Sequence, residues 1–84
     1  MIKKLITNEE IEDWLVSNIS QVLEIEKDEI DTTLTFNRLG VDSITGVQIT
    51  GDLEEMVGFK IDTVLLFKYP TIEKISSFLS EKTK

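Results

Sequence analysis

Apolar residues recur at helical spacing in three stretches of this chain, and a shorter apolar run lies between the last two. Ile11, Leu15, Ile19 and Val22, with Trp14 and Leu23 beside them, make one face of a helix predicted over Asn8 to Leu23. Glu9, Glu12, Asp13, Ser17, Asn18 and Gln21 fill the other face. Thr7 followed by Glu10 has the spacing of a capping box, and Ile6 is placed to staple onto Ile11. Met1 to Ile6, with Lys3 and Lys4, reads as a short lead-in, and Trp14 is expected in core or rim packing.

Glu24 to Val41 carries no sustained period. Its apolar residues, Ile25, Ile30, Leu34, Phe36 and Leu39, stand singly among Asp and Thr, so a long loop pinned by anchors is expected, with one helical turn inside it. Asp42 or Ser43 can then cap a second helix that runs to about Val57 and stops at Gly58. Ile49, Leu53 and Val57 form its buried stripe, with Met56 adjacent. Ile44 and Val47 fall off that stripe and are candidates for partner contact, although single exposed apolar residues are common. Gly46 and Gly51 each cost about 1 kcal/mol against alanine inside a helix. They mark either a close approach or simple tolerance at an exposed position. Ile61 to Phe67 suits a short third helix capped by Asp62 or Thr63, and Tyr69-Pro70 breaks it. Thr71 caps a fourth, with Ile72, Ile75, Phe78 and Leu79 in phase, and Ser80 to Lys84 is expected to fray. The sum is an all-α fold. It is a small four-helix bundle of three main helices plus a short third, with a long loop after helix one.

Size and charge narrow what such a bundle can do. The 84 residues make one domain, 1–84 with a core of about 8–80, and bury roughly 60–65% of the surface that the unfolded chain exposes. That leaves room for a core but not for a core plus a deep walled active site. A net charge of −7 disfavours nucleic acid and favours basic protein surfaces. With no cysteine and no histidine, disulfides and thiolate or imidazole metal sites are excluded. Asp28 to Asp31 lacks the spacing of a calcium loop. No apolar run reaches the ~20 residues of a membrane span and no signal peptide is visible, so the cytoplasm is expected.

The stretch Leu39-Gly40-Val41-Asp42-Ser43-Ile44 is the most informative. A nucleophilic serine needs a base within hydrogen-bond reach, and this chain has no histidine to offer. The surroundings, G-V-D-S-I-T-G, are not a G-x-S-x-G elbow, and Asp42 adjoins Ser43 rather than facing it. Glu54-Glu55 has the look of a solvated helix face. A serine that another enzyme modifies has different needs: exposure, a helix start that favours an incoming phosphate, and a preceding glycine that frees the backbone. Ser43 meets them, although Asp-Ser before an apolar run is also an ordinary cap.

The sequence resembles the acyl carrier proteins, whose serine in a G-x-D-S-[LI] motif receives 4′-phosphopantetheine from coenzyme A. Ile25-x-x-Asp28-x-Ile30 and Phe36-x-x-Leu39-Gly40 resemble the family's approach to that serine. Val47, Ile49, Leu53 and Glu54 stand where its V-E-L…L-E pattern lies. Leu66-Phe67-x-Tyr69-Pro70-Thr71-Ile72 resembles the L-F-x-x-P-T segment of polyketide synthase carriers. The likeness spans roughly residues 9 to 80 and points away from the dissociated fatty-acid carriers. Peptidyl carriers of nonribosomal peptide synthetases share the fold but usually have a G-G-[HD]-S core, where this chain has Val41 before the acid. Gln48 stands where many relatives have glutamate, and Gly51 where a larger apolar residue often meets partners.

The resemblance implies a non-catalytic carrier that tethers acyl intermediates as thioesters. Its arm would be 4′-phosphopantetheine on Ser43, attached by a phosphopantetheinyl transferase with bound Mg²⁺. It implies visits to ketosynthases, acyltransferases and tailoring enzymes, docking through Asp42, Ile44, Val47, Glu54 and Glu55, and a monomeric chain. The other readings are a peptidyl or aryl carrier, and a structural or adaptor domain whose Ser43 is only a cap.

Overall fold

The computed structural model describes residues 6–83, so all but Ile6 of the lead-in expected at Met1 to Ile6, and Lys84, lie outside the described residues. Helix α1 spans Asn8–Leu23. Its capping box forms: the Thr7 side chain accepts from the Glu10 amide at 3.1 Å while the Thr7 amide donates to Glu10 Oε1 at 3.0 Å. At the other end Glu24 takes a left-handed conformation at φ 57°, held by the Ile25 amide donating to the Ser20 carbonyl and the Ser20 hydroxyl donating to the Ile25 carbonyl. These two reciprocal bonds offset the cost of a non-glycine residue in that region.

The segment after α1 is more structured than its sequence suggests. It holds a 3₁₀ turn at Lys27–Glu29 and a one-turn helix, α2, at Phe36–Leu39, where a single helical turn was expected. Tertiary contacts supply the missing order. Ile30 and Phe36 plug the core, the Phe36 amide donates to the Pro70 carbonyl at 2.8 Å, and Thr35 makes an isolated bridge with Thr71. A single bridge of this kind needs no periodic pattern, which is why periodicity does not announce it.

Helix α3 runs Ser43–Val57 and ends at Gly58, whose φ of 84° is the left-handed C-cap expected there. The short helix α4 is Leu65–Lys68, later and shorter than the Ile61–Phe67 expected. Asp62 does not cap it as a helix N-cap. Its Oδ1 instead accepts from the Val64 amide, closing a turn, and Ile61 is a buried anchor ahead of that turn. Helix α5 is Ile72–Lys82, capped by the Thr71 hydroxyl, which accepts from the Lys74 amide. Ser80 and Thr83 are buried, and the Thr83 hydroxyl is shared between the carbonyls of Ser80 and Ile6. The fraying expected from Ser80 onward is therefore corrected up to Thr83.

Helix α1 packs chiefly on α5 and then on α3. Ile11, Leu15, Ile19, Ile49, Leu53, Ile72, Ile75 and Leu79 are fully buried between them. Burial of each such side chain contributes about 1.5–3 kcal/mol. Trp14 is half-buried at the rim, and Tyr69 stacks on Phe78 with ring centroids 4.3 Å apart. The all-α bundle read from sequence holds, its long loop carrying two short helical turns, the 3₁₀ turn and α2, where one was expected.

Candidate functional site

Gly40 ends α2 with φ 105°, a conformation open to glycine and costly to other residues. It turns the chain directly into the start of α3. There Asp42, not Ser43, is the cap. Its Oδ1 accepts from the Thr45 amide at 2.8 Å and from the Thr45 hydroxyl at 3.0 Å, while the Asp42 amide donates to Thr45 Oγ1 at 2.9 Å. Those bonds, first from the Thr45 amide and then from its hydroxyl, hold the Asp42 carboxyl below the usual aspartate range. With the capping work done by Asp42, Ser43 is the first residue of the helix proper. It is exposed, and its hydroxyl makes no hydrogen bond to another described residue.

Beside Ser43 lies an apolar groove of about 450 Å³. Thr35, Phe36, Asn37 and Val41 form one side, Gly46 and Val47 of α3 another, and Leu66, Phe67 and Pro70 the facing wall. Gly46 is buried here. A Cβ at this position would lie 3.5 Å from Leu66 Cδ1 and 3.7 Å from Val41 Cγ1, ordinary contact distances with two other residues that line the groove. Gly51, in contrast, faces open space. Tolerance at an exposed position applies at Gly51. Gly46 is buried, and its neighbours are side chains at distances a methyl group would accept, so no close approach of another backbone requires glycine there.

The residues singled out from sequence are not all in one place. Asp42, Ile44 and Val47 surround Ser43 on the first turns of α3, with Ile44 78% and Val47 60% exposed. Glu55 is exposed two turns further on. Glu54 is half-buried, and its Oε2 accepts the Ile61 amide at 2.7 Å. Sequence reasoning missed the opposite wall, where Phe67 is 75% exposed; Val64, one turn earlier, is also exposed but does not line the groove, and Leu66 between them is buried. The three-residue spacing of Val64 and Phe67 was the available signal, but the run Ile61 to Phe67 reads as uniformly apolar and hides its outward positions.

Neither a cluster of metal-ligating side chains nor a helix long and apolar enough to cross a membrane occurs among the described residues. What the site offers is a free hydroxyl at a helix N-terminus, where first-turn amides and the helix dipole favour an attached anion, next to an apolar groove.

The sequence matches the family described as phosphopantetheine attachment site over residues 13–79. It is 33% identical over 81 residues to the acyl carrier protein TtuC of Teredinibacter turnerae, covering 96% of this chain and 93% of that one. Polyketide synthase PksL of Bacillus subtilis is 36% identical over 70 residues, which are 83% of this chain but only 2% of that protein. Among solved structures, an acyl carrier protein from Anabaena superposes with a TM-score of 0.85 at 30% identity, covering 99% of this chain and 98% of that one. A free-standing peptidyl carrier protein from Acinetobacter baumannii superposes with a TM-score of 0.89 at 24% identity, covering 93% and 98%, and shows the shared fold. The chain belongs to the phosphopantetheine-attachment family of carrier domains, whose covalent cofactor is 4′-phosphopantetheine.

Proposed function

We propose that Ser43 is the attachment point of the arm and that the chain carries acyl groups for a polyketide, or hybrid polyketide–peptide, assembly line. The observation that carries this reading is the division of labour at the start of α3: Asp42 caps, and the Ser43 hydroxyl stays exposed and unengaged. The residues fit the group. A phosphodiester on Ser43 would sit at the helix N-terminus, and the groove beside it has apolar walls for the uncharged part of the arm. When bound, the arm supplies the thiol on which acyl groups ride as thioesters, a chemistry the cysteine-free chain lacks.

In loading, the Ser43 hydroxyl oxygen bonds to the phosphorus of coenzyme A that bears the pantetheine. The pyrophosphate P–O bond breaks, and the adenosine bisphosphate leaves. The hydroxyl proton passes to a base of the phosphopantetheinyl transferase, since this chain has no histidine to take it. The chain then contributes recognition and a raised local concentration of cargo. Asp42 and Glu55 supply acidic contacts for basic partner surfaces, while Ile44 and Val47 supply apolar ones. Such contacts are brief and salt-sensitive, as suits a carrier that must leave each ketosynthase, acyltransferase or tailoring enzyme, in the cytoplasm where coenzyme A is met.

Polyketide cargo is favoured by the names of the relatives, which include polyketide synthases of Bacillus subtilis and Mycobacterium tuberculosis as well as the acyl carrier TtuC. Intact-mass measurement after incubation with coenzyme A and a broad-specificity transferase tests the attachment. Wild type should gain one phosphopantetheine and Ser43→Ala none. Loading of the alanine variant would refute the assignment.

A further inference from the structure

Glu54 and Glu55 are neighbours in sequence with unlike settings: Glu55 is exposed, while Glu54 is half-buried and turned onto the connector between α3 and α4. Its carbonyl accepts the Gly58 amide at 2.8 Å, and its carboxylate Oε2 accepts the Ile61 amide at 2.7 Å. One residue thus holds both ends of the Gly58–Ile61 return. A carboxylate–amide bond of this length is charge-assisted and stronger than a neutral pair. Ile61 is itself buried, so its position is fixed from both the backbone and the side chain. The next residue, Asp62, closes the turn that launches α4 by accepting from the Val64 and Leu65 amides. Four residues further, Leu66 and Phe67 form the groove wall opposite Ser43. The chain of contacts from Glu54 to that wall has no gap.

We propose that Glu54 is a positioning residue: its carboxylate latches the connector and so sets the Leu66–Phe67 wall at the place from which a transferase docks on Ser43. The inference rests on the reading of Ser43 as the loading point. It assigns Glu54 a role distinct from that of Glu55, whose charge faces solvent. Glu54→Gln separates the two roles, because the amide oxygen can still accept from Ile61 while the charge is gone. Glu54→Ala removes both.

The test uses the full chain, amide exchange followed by NMR, and loading kinetics with coenzyme A and a transferase at low and high salt. In Glu54→Ala the Ile61 amide should exchange about tenfold faster, the loss expected for one such hydrogen bond. The Leu66 and Phe67 amide resonances should shift, and KM for the carrier should rise with kcat unchanged, equally at both salts. Glu54→Gln should stay within about twofold of wild type in loading at either salt, as befits a residue whose charge is not read by the partner. Loss of loading in Glu54→Gln at low salt that recovers at high salt would overturn the proposal, as would unchanged Ile61 exchange in Glu54→Ala. Should the alanine variant fail to fold, the glutamine variant decides alone by the same salt comparison. If wild type itself does not load, the Ser43 reading fails, and Ile61 exchange still decides whether the latch exists.

Discussion

The α1–α5 side of this bundle and the Ser43 side are made from the same kinds of residue and put them to different uses. On the first, Ile11, Leu15 and Ile19 meet Ile72, Ile75 and Leu79, all fully buried. On the second, Ile44, Val47, Val64 and Phe67 stand in solvent, with Val47 and Phe67 lining a groove, and the nearby elements, α2 and α4, are four residues each. Helices that short do not form alone, because nucleation is unfavourable and tertiary anchors must hold them. Stability is thus concentrated in one half, and the other half keeps apolar surface free beside the one serine that opens a helix. A small domain with a single core has little room to do both in one place.

The largest effect should come from breaking the stable half. Leu15→Ala is expected to cost about 3 kcal/mol in urea denaturation. Phe67→Ala, a larger truncation but on the exposed side, should stay within about 0.5 kcal/mol of wild type. Similar losses in the two would erase the contrast. Next is the seam between the halves. Thr71 caps α5 with its hydroxyl and meets Thr35 through its backbone, so Thr71→Ala should cost about 1 kcal/mol and, by freeing the start of α5, loosen the backbone that anchors α2. Enhanced amide exchange at Phe36, whose amide is bound by the Pro70 carbonyl, would report the second effect.

Ser76 sharpens the comparison from inside the core. It is fully buried on α5, and its hydroxyl has no hydrogen-bond partner among the described residues. Ser76→Ala should therefore leave stability unchanged or raise it by up to about 1 kcal/mol. Destabilisation would show that the hydroxyl is satisfied in solution.

The smallest effect is electrostatic. Burial, and then the nearby charges of Glu73, Asp13 and Glu9, raise the Glu12 carboxyl above the usual glutamate range. Its folded value is higher than its unfolded one, so the charged form costs stability at neutral pH, and the cost fades as pH falls through the raised value. Glu12→Gln should stabilise at pH about 7 and lose that gain by pH about 4, where the carboxyl of both states is increasingly protonated. The Asp42 cap behaves in the opposite sense. Its carboxyl is lowered by Thr45, so its contribution holds above the usual aspartate range and is lost as pH falls through the lowered value.

The parts of the fold that periodicity governs are legible in the sequence. Helix α1 appears with its boundaries because Thr7 and Glu10 form a capping box and the apolar face is unbroken, and Ile49, Leu53 and Val57 are the buried stripe of α3. The misses are where tertiary partners decide. Helix α4 starts late because Asp62 spends its side chain on a turn, and Thr83 stays ordered because the Ile6 carbonyl comes to it from the other end of the chain. The site is legible in part. Ser43 and its neighbours Asp42, Ile44 and Val47 stand out from the motif, but the Phe67 rim and the Glu54 contact with Ile61 depend on how the connector folds back. No local pattern distinguishes an acid on a latch from an acid in water.

The most direct measurement is tandem mass spectrometry of proteolytic peptides from wild-type protein loaded with coenzyme A and a transferase. The account predicts a single phosphopantetheine on Ser43, the exposed serine that opens α3, with the remaining serines unmodified. An arm found on any other residue, or a loaded protein whose Ser43 peptide carries no added mass, would contradict it.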